Sequence, residues 1–296
     1  MSGTGAIFPE AAWIDAHLPR RARILLYAAL NRSTGGGWGP LLVQALGPTS
    51  GWLARRRLLR EVREEGAWKV AFRGVDETLH LPEDYPPAML WMIATEQFHP
   101  WHWHQYEIPQ TRVRPDDVVL DCGAAEGLFA LRVHGRCARV VCFEPVPLYL
   151  RFLQRTFAGV GNVSLAAAAL GAEPGQAFLY ENGAASFVTS RPNGHPVPVT
   201  TVDAYCAEHG LAPGFLKGDL EGSERAVLLG AEQVIRRHRP RIALTTYHRP
   251  GDAQSLRALL AEWVPEYRFL VKGIHDRRGG EPVMLHAWVD DGRAPT

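Results

Sequence analysis

The chain has 296 residues, 46% of them hydrophobic and 21% charged, with a formal net charge of +1 at pH 7. A chain of this length buries a large core, as one big domain or two modest ones. The near-neutral balance excludes the basic footprint of a nucleic-acid binder or of a protein held on an anionic membrane.

The first 21 residues lack a basic segment followed by an apolar core, so no secretory leader is expected. The apolar run at residues 24–30 is too short to span a bilayer. Helical periodicity then leads, over residues 9–30 and again over 51–65, where RRRLLREVREE carries a solvated basic face at Arg55 to Arg57. A short strand-like piece, WKVAF, follows at residues 68–72. Residues 98–109, FHPWHWHQYEIP, have the oddest local composition, and the spacing of His99, His102 and His104 matches no strong metal-ligand pattern. This stretch is expected to pack between the amino-terminal part and a sheet formed by the rest of the chain. Its alternative is a lid, with Trp101, Trp103 and His104 facing a substrate and excluding water.

From about residue 110, strand and helix patterns alternate. DVVLDCG is a buried strand, GLFALRVHG a helix, RVVCFEP a strand, PLYLRFLQRTFAG a helix and NVSLAAAALG a third strand. AFLYENGAASFVT and VPVTTVDAYCAEHG read as extended pieces around a loop. GFLKGDLEG, the helix SERAVLLGAEQVIRRH, the strand RIALTTYH, the helix DAQSLRALLAEWV and late strands near YRFLV and VMLHAWV complete the chain. Repeated βα units imply an α/β architecture, a doubly wound and mostly parallel sheet with a mainly helical N-terminal extension. The expected division is a cap over residues 1–108 and a ligand-binding domain over 109–296. The four cysteines, Cys122, Cys137, Cys142 and Cys206, form no C-x-x-C pair and read as reduced thiols of a cytoplasmic protein.

Ligands of open α/β sheets gather at the carboxyl ends of the strands, where VVLDCGAAEG runs from an apolar strand into a small-residue loop. A dinucleotide fingerprint, G-x-G-x-x-G, would hold a pyrophosphate on backbone N–H groups, yet Asp121 occupies its first glycine position. A carboxylate there repels a polyphosphate, and no G-K-[ST] supports a P-loop. Asp121 and Glu126 suit a ligand with a positive end, and S-adenosyl-L-methionine has two such groups and no phosphate. Glu144, 23 residues after Asp121 and at the next strand end, stands where a carboxylate takes both ribose hydroxyls, with Pro145 fixing the turn. Gly123, Ala124 and Gly127 complete the loop, and the small side chains of Ala167 and Ala168 leave room for adenine at the third strand end.

LDCGAAEG, FEPVP, AALG, TTVDAY, LKGDLEGSERAVLLGA and RPRIALTTYH occur in the order found in FkbM-type methyltransferases, which the chain resembles over about residues 112–270. The most specific part is Lys217-Gly218-Asp219-Leu220-Glu221-Gly222 with Glu224, against the family's K-x-D-x-E-G-x-E. The resemblance implies a class I, Rossmann-like methyltransferase domain and methyl transfer to a hydroxyl of a sugar, glycoconjugate or natural product. Three departures stand out: Ala125 where the family has Asn, Gly218 where it prefers a branched aliphatic, and TYH where many members end the strand with glutamate.

Methyl transfer to an alcohol needs alignment and a group to take the proton. Asp219 ends the fourth strand, Glu221 follows on the turn and His248 ends the next strand after Tyr247, an expected substrate neighbour. His248 is the first choice for the base because imidazole titrates near neutral pH, with a strand-end carboxylate as the alternative. Asp219 is assigned to the cofactor or acceptor beside the sulfonium, Glu221 to the same task or to capping the next helix. Lys217 is left between an open role and an ion pair with one of these acids. No metal is favoured; were a divalent ion used, Asp219, Glu221 and His248, with Asp252 near, would be its ligands. A non-catalytic binding module and a nicotinamide oxidoreductase are the competing classes. The expected partner is a small-molecule or glycan acceptor, with no nucleic acid and no membrane span, and a homodimer is left open.

Overall fold

The computed structural model describes the chain from residue 14 to residue 292, apart from residues 15–16, 31–34, 36, 49, 65–66, 181–186, 190–193 and 291. The start of the helix expected over residues 9–30 and the middle of the extended piece at 181–186 lie outside the described residues.

The amino-terminal part holds α1 (Arg20–Ala29) and α2 (Trp38–Leu46), then β1 (Leu59–Glu64), β2 (Ala67–Phe72) and β3 (Thr78–Pro82), then α3 (Pro87–Phe98). It is therefore not mainly helical as expected: residues 59–64, read as the end of a helix, form a strand. Their partner decides it. Trp68, Val70 and Phe72 alternate into the core, as do Leu79 and Leu81 of β3, and β1 pairs antiparallel with β2 from Leu59↔Phe72 to Glu64↔Ala67. Cross-strand pairing outweighs the helix propensity of an Arg- and Glu-rich segment.

The rest of the chain builds a seven-stranded sheet. Its strands are β4 (Val118–Cys122), β5 (Arg139–Phe143), β6 (Val163–Ala166), β11 (Pro213–Gly218), β12 (Arg241–Thr245), β13 (Arg268–Lys272) and β14 (Met284–Trp288). They lie in the order β13-β14-β12-β11-β4-β5-β6. The pairs from β6 through β12 are parallel, and β14 enters antiparallel between β12 and β13. All five residues of β12 are buried, with apolar Ile242 to Leu244 flanked by Thr245 and by Arg241, which is paired with Asp117, as suits a strand covered on both faces. The expected α/β, doubly wound and mostly parallel architecture is the observed one.

A smaller sheet, β7 (Ala169–Leu170), β10 (His195–Thr200), β8 (Gly175–Tyr180) and β9 (Phe187–Thr189), sits beside it. Two readings change here. Residues 202–209, expected as extended chain, form a helix that Thr201 caps by accepting the Ala204 N–H at 3.0 Å and that ends at a left-handed Gly210. The single helix expected over 223–238 breaks in two at Gly230, where any side chain would strike the Gly171 carbonyl.

Successive residues of one strand feed opposite layers. Leu120, Cys122, Leu216, Ile242 and Leu244 join the helices Val202–His209, Glu224–Leu229, Glu232–His238 and Asp252–Trp263 in one cluster. Val119, Phe215, Ala243 and Met284 join the helix Leu128–Val133 and, in the same cluster, Ile24, Tyr27, Val70, Leu79 and Leu90 of the amino-terminal part. Lys272 of β13 reinforces this contact by donating to the Gln105 carbonyl at 2.8 Å. That part thus covers one face of the sheet. A chain shortened to residues 106–296 is expected to lose the cooperative thermal transition seen by circular dichroism; a fragment melting as sharply as the full chain would mark the segment as a separable lid.

Candidate functional site

Between β4 and β11 the strand order reverses, and a cleft of about 380 Å³ opens at the carboxyl ends of β4, β5 and β11, where such sheets take their ligands. Gly123, Ala125 and Glu126 line it from the loop after β4, Phe143 to Val146 from the end of β5, and Ala168 to Leu170 from the end of β6. Asp219, Leu220 and Glu221 come from the turn after β11, and Tyr247 from the end of β12. Its roof is one face of α3: Met89, Met92, Ile93 and Glu96, spaced i, i+3, i+4 and i+7. Five carboxyl groups reach the lining, on Glu96, Glu126, Glu144, Asp219 and Glu221, and among the described lining residues there is no lysine or arginine.

Glu144 is 3% exposed and is held rigidly. Its Oε2 accepts the Ala125 N–H and its Oε1 the Val146 N–H, each at 2.8 Å, leaving each oxygen a further acceptor site. Burial pushes its carboxyl up to about 7, against the pull of those two amides. The loop facing it is close-fitting. Gly123 has φ 79°, and a Cβ there would fall 2.1 Å from the Asp219 carbonyl oxygen, so only glycine fits. Ala125 has φ 46°, a left-handed conformation that costs a non-glycine residue about 1 kcal/mol. Glu126 is pinned by the Tyr85 hydroxyl, which donates to its Oε1 at 2.5 Å.

Asp121 does not line the cleft, contrary to expectation. It is completely buried beneath the loop, opposite Lys217 in the β4–β11 register, with Lys217 Nζ 2.9 Å from its Oδ1. Lys217 also donates to the Gly123 carbonyl at 2.5 Å. Burial works to discharge this ammonium, but Asp121 and Asp219 prevail and hold its pKa above the ordinary value. Of the two readings of Lys217, the ion pair is the one found. Ala124 and Gly127 also lie outside the lining, behind the loop's turn, and Ala167 is exposed while Ala168 faces the cleft, because β6 ends at Ala166 and the chain bends before β7. Gly218 approaches a neighbour rather than a ligand: a Cβ there would meet Leu244 Cδ2 at 2.6 Å.

On the opposite wall Asp219 Oδ2 accepts the Tyr106 hydroxyl at 2.6 Å and Oδ1 accepts the Thr245 hydroxyl at 3.2 Å. Burial opposes its ionisation, yet His104, Lys217 and His248 together hold its pKa below the ordinary carboxylate range. His104 lines the cleft, with Nε2 3.1 Å from the Tyr247 hydroxyl, and burial drives its pKa down to about 4. His248 is not the free base that was expected. Its Nδ1–H donates to Glu224 Oε1 at 2.6 Å; burial is outweighed by Glu224, Asp219 and Glu221, which raise its pKa to about 9, so the imidazole is protonated at neutral pH. Among the described residues, ligand atoms of Asp219, Glu224 and His248 lie within 4.8 Å of one another. Glu221 Oε2 approaches His248 Nε2 at 3.5 Å, whereas Asp252 turns its Oδ2 to the Arg249 N–H. Trp101 and Trp103 do not face the cleft: Trp101 is exposed beside Gly39, and Trp103 is buried against Gly273.

Sequence reasoning missed Glu96, Tyr85 and Tyr106. The apolar face of α3 was the available signal for Glu96; nothing local marks the two tyrosines, whose partners are 41 and 113 residues away. Replacing Lys217 by methionine leaves the buried Asp121 charge without its partner. Lys217→Met is expected to destabilise the protein by about 3–5 kcal/mol in urea denaturation, and Asp121→Leu in the same chain to recover most of that loss.

Residues 121–271, half of the chain, match the model of the methyltransferase FkbM domain. The methyltransferase FkbM of Methylobacillus flagellatus KT is similar in structure, at 24% identity and TM-score 0.49, over 70% of this chain and 56% of that one. An rRNA methylase from Streptococcus thermophilus aligns at 11% identity over 60% of this chain and 89% of its own, TM-score 0.40. A precorrin-6y C5,15-methyltransferase from Geobacter metallireducens GS-15 aligns at 17% identity over 60% and 84%, TM-score 0.35. No curated protein matches the chain by sequence. Among the described residues, no helix is long and apolar enough to cross a membrane.

Proposed function

Because this chain belongs to the FkbM methyltransferase family and carries the class I methyltransferase fold, we propose that it is an S-adenosylmethionine-dependent O-methyltransferase. Its acceptor is a hydroxyl of a sugar, glycoconjugate or natural product. The observation that carries this reading is the acidic lining of the cleft: five carboxyl groups, Asp219 among them held ionised, and no lysine or arginine among the described lining residues. A polyphosphate would be repelled there, and a sulfonium with an ammonium would be attracted.

The donor set fits such a cofactor. Glu144, with a free acceptor site on each oxygen, suits the two ribose hydroxyls, and Phe143, Ala168 and Leu170 provide an apolar wall for a flat ring. Glu126 and Asp219 flank the space between them. When bound, S-adenosylmethionine supplies a methyl group activated by its sulfonium.

Asp219 is the proton acceptor of this proposal, in place of His248. Tyr106 and Thr245 fix its two oxygens, and an alcohol oxygen becomes strongly acidic as its new bond to carbon forms, so a carboxylate of low pKa suffices. Tyr247 and His104 bound the acceptor's side of the cleft. The α3 face excludes water above it with Met89, Met92 and Ile93. Residues 1–108 thus act as a cap on a catalytic domain over 109–296.

Calorimetry of the full chain with S-adenosylmethionine and NADH side by side is expected to register binding of the first alone. Glu144→Gln should weaken it about 10- to 100-fold, the worth of a charged hydrogen bond. Asp219→Asn should lower kcat by about 10²–10⁴, measured as labelled methyl passing from the cofactor into an alkali-stable ether. Tighter binding of NADH, or an unchanged Glu144→Gln variant, would overturn the reading.

A further inference from the structure

His248 has a buried nitrogen without a hydrogen-bond partner among the described residues. The side chain is 4% exposed, Nδ1 is committed to Glu224, and Nε2 has no hydrogen-bond partner among the described residues. Leaving such an atom dry and unpaired is costly. Around Nε2 stand Glu221 Oε2 at 3.5 Å and Asp219 Oδ1 at 3.8 Å. Glu224 is held behind the ring: Oε1 also accepts the Leu220 N–H at 3.1 Å. Arg278 donates to the backbone carbonyl of His248 at 3.5 Å, and its charge also acts on Glu221.

From this geometry we propose that His248 Nε2, Asp219 Oδ1 and Glu221 Oε2 bind a divalent first-row metal ion, which takes the place of the Nε2 proton and releases it to solvent, with Glu224 as the positioning residue that orients the imidazole. Donors about 2.0–2.2 Å from one ion lie roughly 3–3.5 Å from each other; the 3.5 and 3.8 Å separations from Nε2 approach that range, and the Glu221 side chain, 41% exposed, turns toward Asp219 to complete the set. A carboxylate on the far nitrogen of a metal-bound histidine fixes the ring and its tautomer, as Glu224 does here. One imidazole and two carboxylates form a mixed set that suits Mn²⁺ or Zn²⁺ better than the all-oxygen preference of Ca²⁺ or Mg²⁺. Glu221 itself is held at φ 49°, a strained conformation that presents its carboxylate at this point.

Asp219 and Glu221 both line the cleft, so open positions on the ion face the acceptor. A hydroxyl bound there is oriented and gives up its proton more readily, while Asp219 Oδ2, on Tyr106, stays clear of the ion and keeps its part as proton acceptor. That catalytic role rests on the methyl-transfer reading; the ion site does not.

The test is titration of the full-length, chelator-treated protein with Mn²⁺ alone and Zn²⁺ alone in a calorimeter, without cofactor or acceptor. One ion per chain is expected. His248→Gln and Glu221→Gln should each weaken it at least tenfold, and Glu224→Gln about 10- to 100-fold. Glu221 is 41% exposed, so its variant is expected to melt like the parent and keeps the result interpretable should His248→Gln fail to fold. No binding up to millimolar metal, or undiminished binding by Glu221→Gln, would overturn the site. Titrating the same metal-free protein with S-adenosylmethionine separates the two ideas: cofactor binding without ion binding removes the metal alone, and the reverse removes the methyl-transfer reading alone.

Discussion

An ammonium and a carboxylate share the dry centre of the sheet, Lys217 of β11 on Asp121 of β4, partners in the parallel register. Burying either charge alone would cost several kcal/mol, so the two strands must run side by side. The lysine has a second task. It binds the Gly123 carbonyl, and Gly123 in turn lies so close to the Asp219 backbone that no Cβ fits between them. The loop after β4 and the turn after β11 are thereby set at one distance, and that distance defines the cleft.

With Asp121 neutralised by its partner, the field in the cleft comes from other acids. Glu126, Glu144, Asp219 and Glu221 arrive from the ends of three strands, and Glu96 from a helix of the amino-terminal part. Four of them are tied down by a neighbour or by strained backbone: Tyr85 on Glu126, two amides on Glu144, Tyr106 and Thr245 on Asp219, a left-handed φ at Glu221. Burial first, and then the neighbouring carboxylates, raise the pKa values of Glu144 and Glu96, to about 7 and about 8. A cation in the middle relieves that repulsion. The same logic operates at His248, which three carboxylates surround.

The amino-terminal part is a wall of the site as well as a support for the sheet. Its α3 sends Leu90 and Ala94 into the core and Met89, Met92, Ile93 and Glu96 to the cleft, so one helix does both with two faces. The histidine-rich stretch after it follows the same division. Trp103 and Gln105 are buried in packing, while His104 and Tyr106 reach Tyr247 and Asp219 at the cleft. Of the stretch expected to pack or to form a lid, His104 lines the cleft, Trp103 is buried in packing and Trp101 is exposed away from the cleft.

From the sequence alone came the doubly wound sheet, because apolar runs such as VVCF and helical spacing such as PLYLRFLQRT are local signals. The strand ends that carry Glu144, Asp219 and His248 were also legible, since each sits where an apolar run stops. Long-range contacts decided the remainder. Whether Asp121 would meet a ligand or Lys217 depended on two strands far apart in the chain becoming neighbours. Whether His248 would be a free base depended on Glu224 lying beneath it. Residues 59–64 became a strand only because Ala67–Phe72 offered them an edge. A residue's chemistry is written in its side chain, but its charge state and its role are set by the groups that folding brings within a few ångströms of it, and those are distant in sequence.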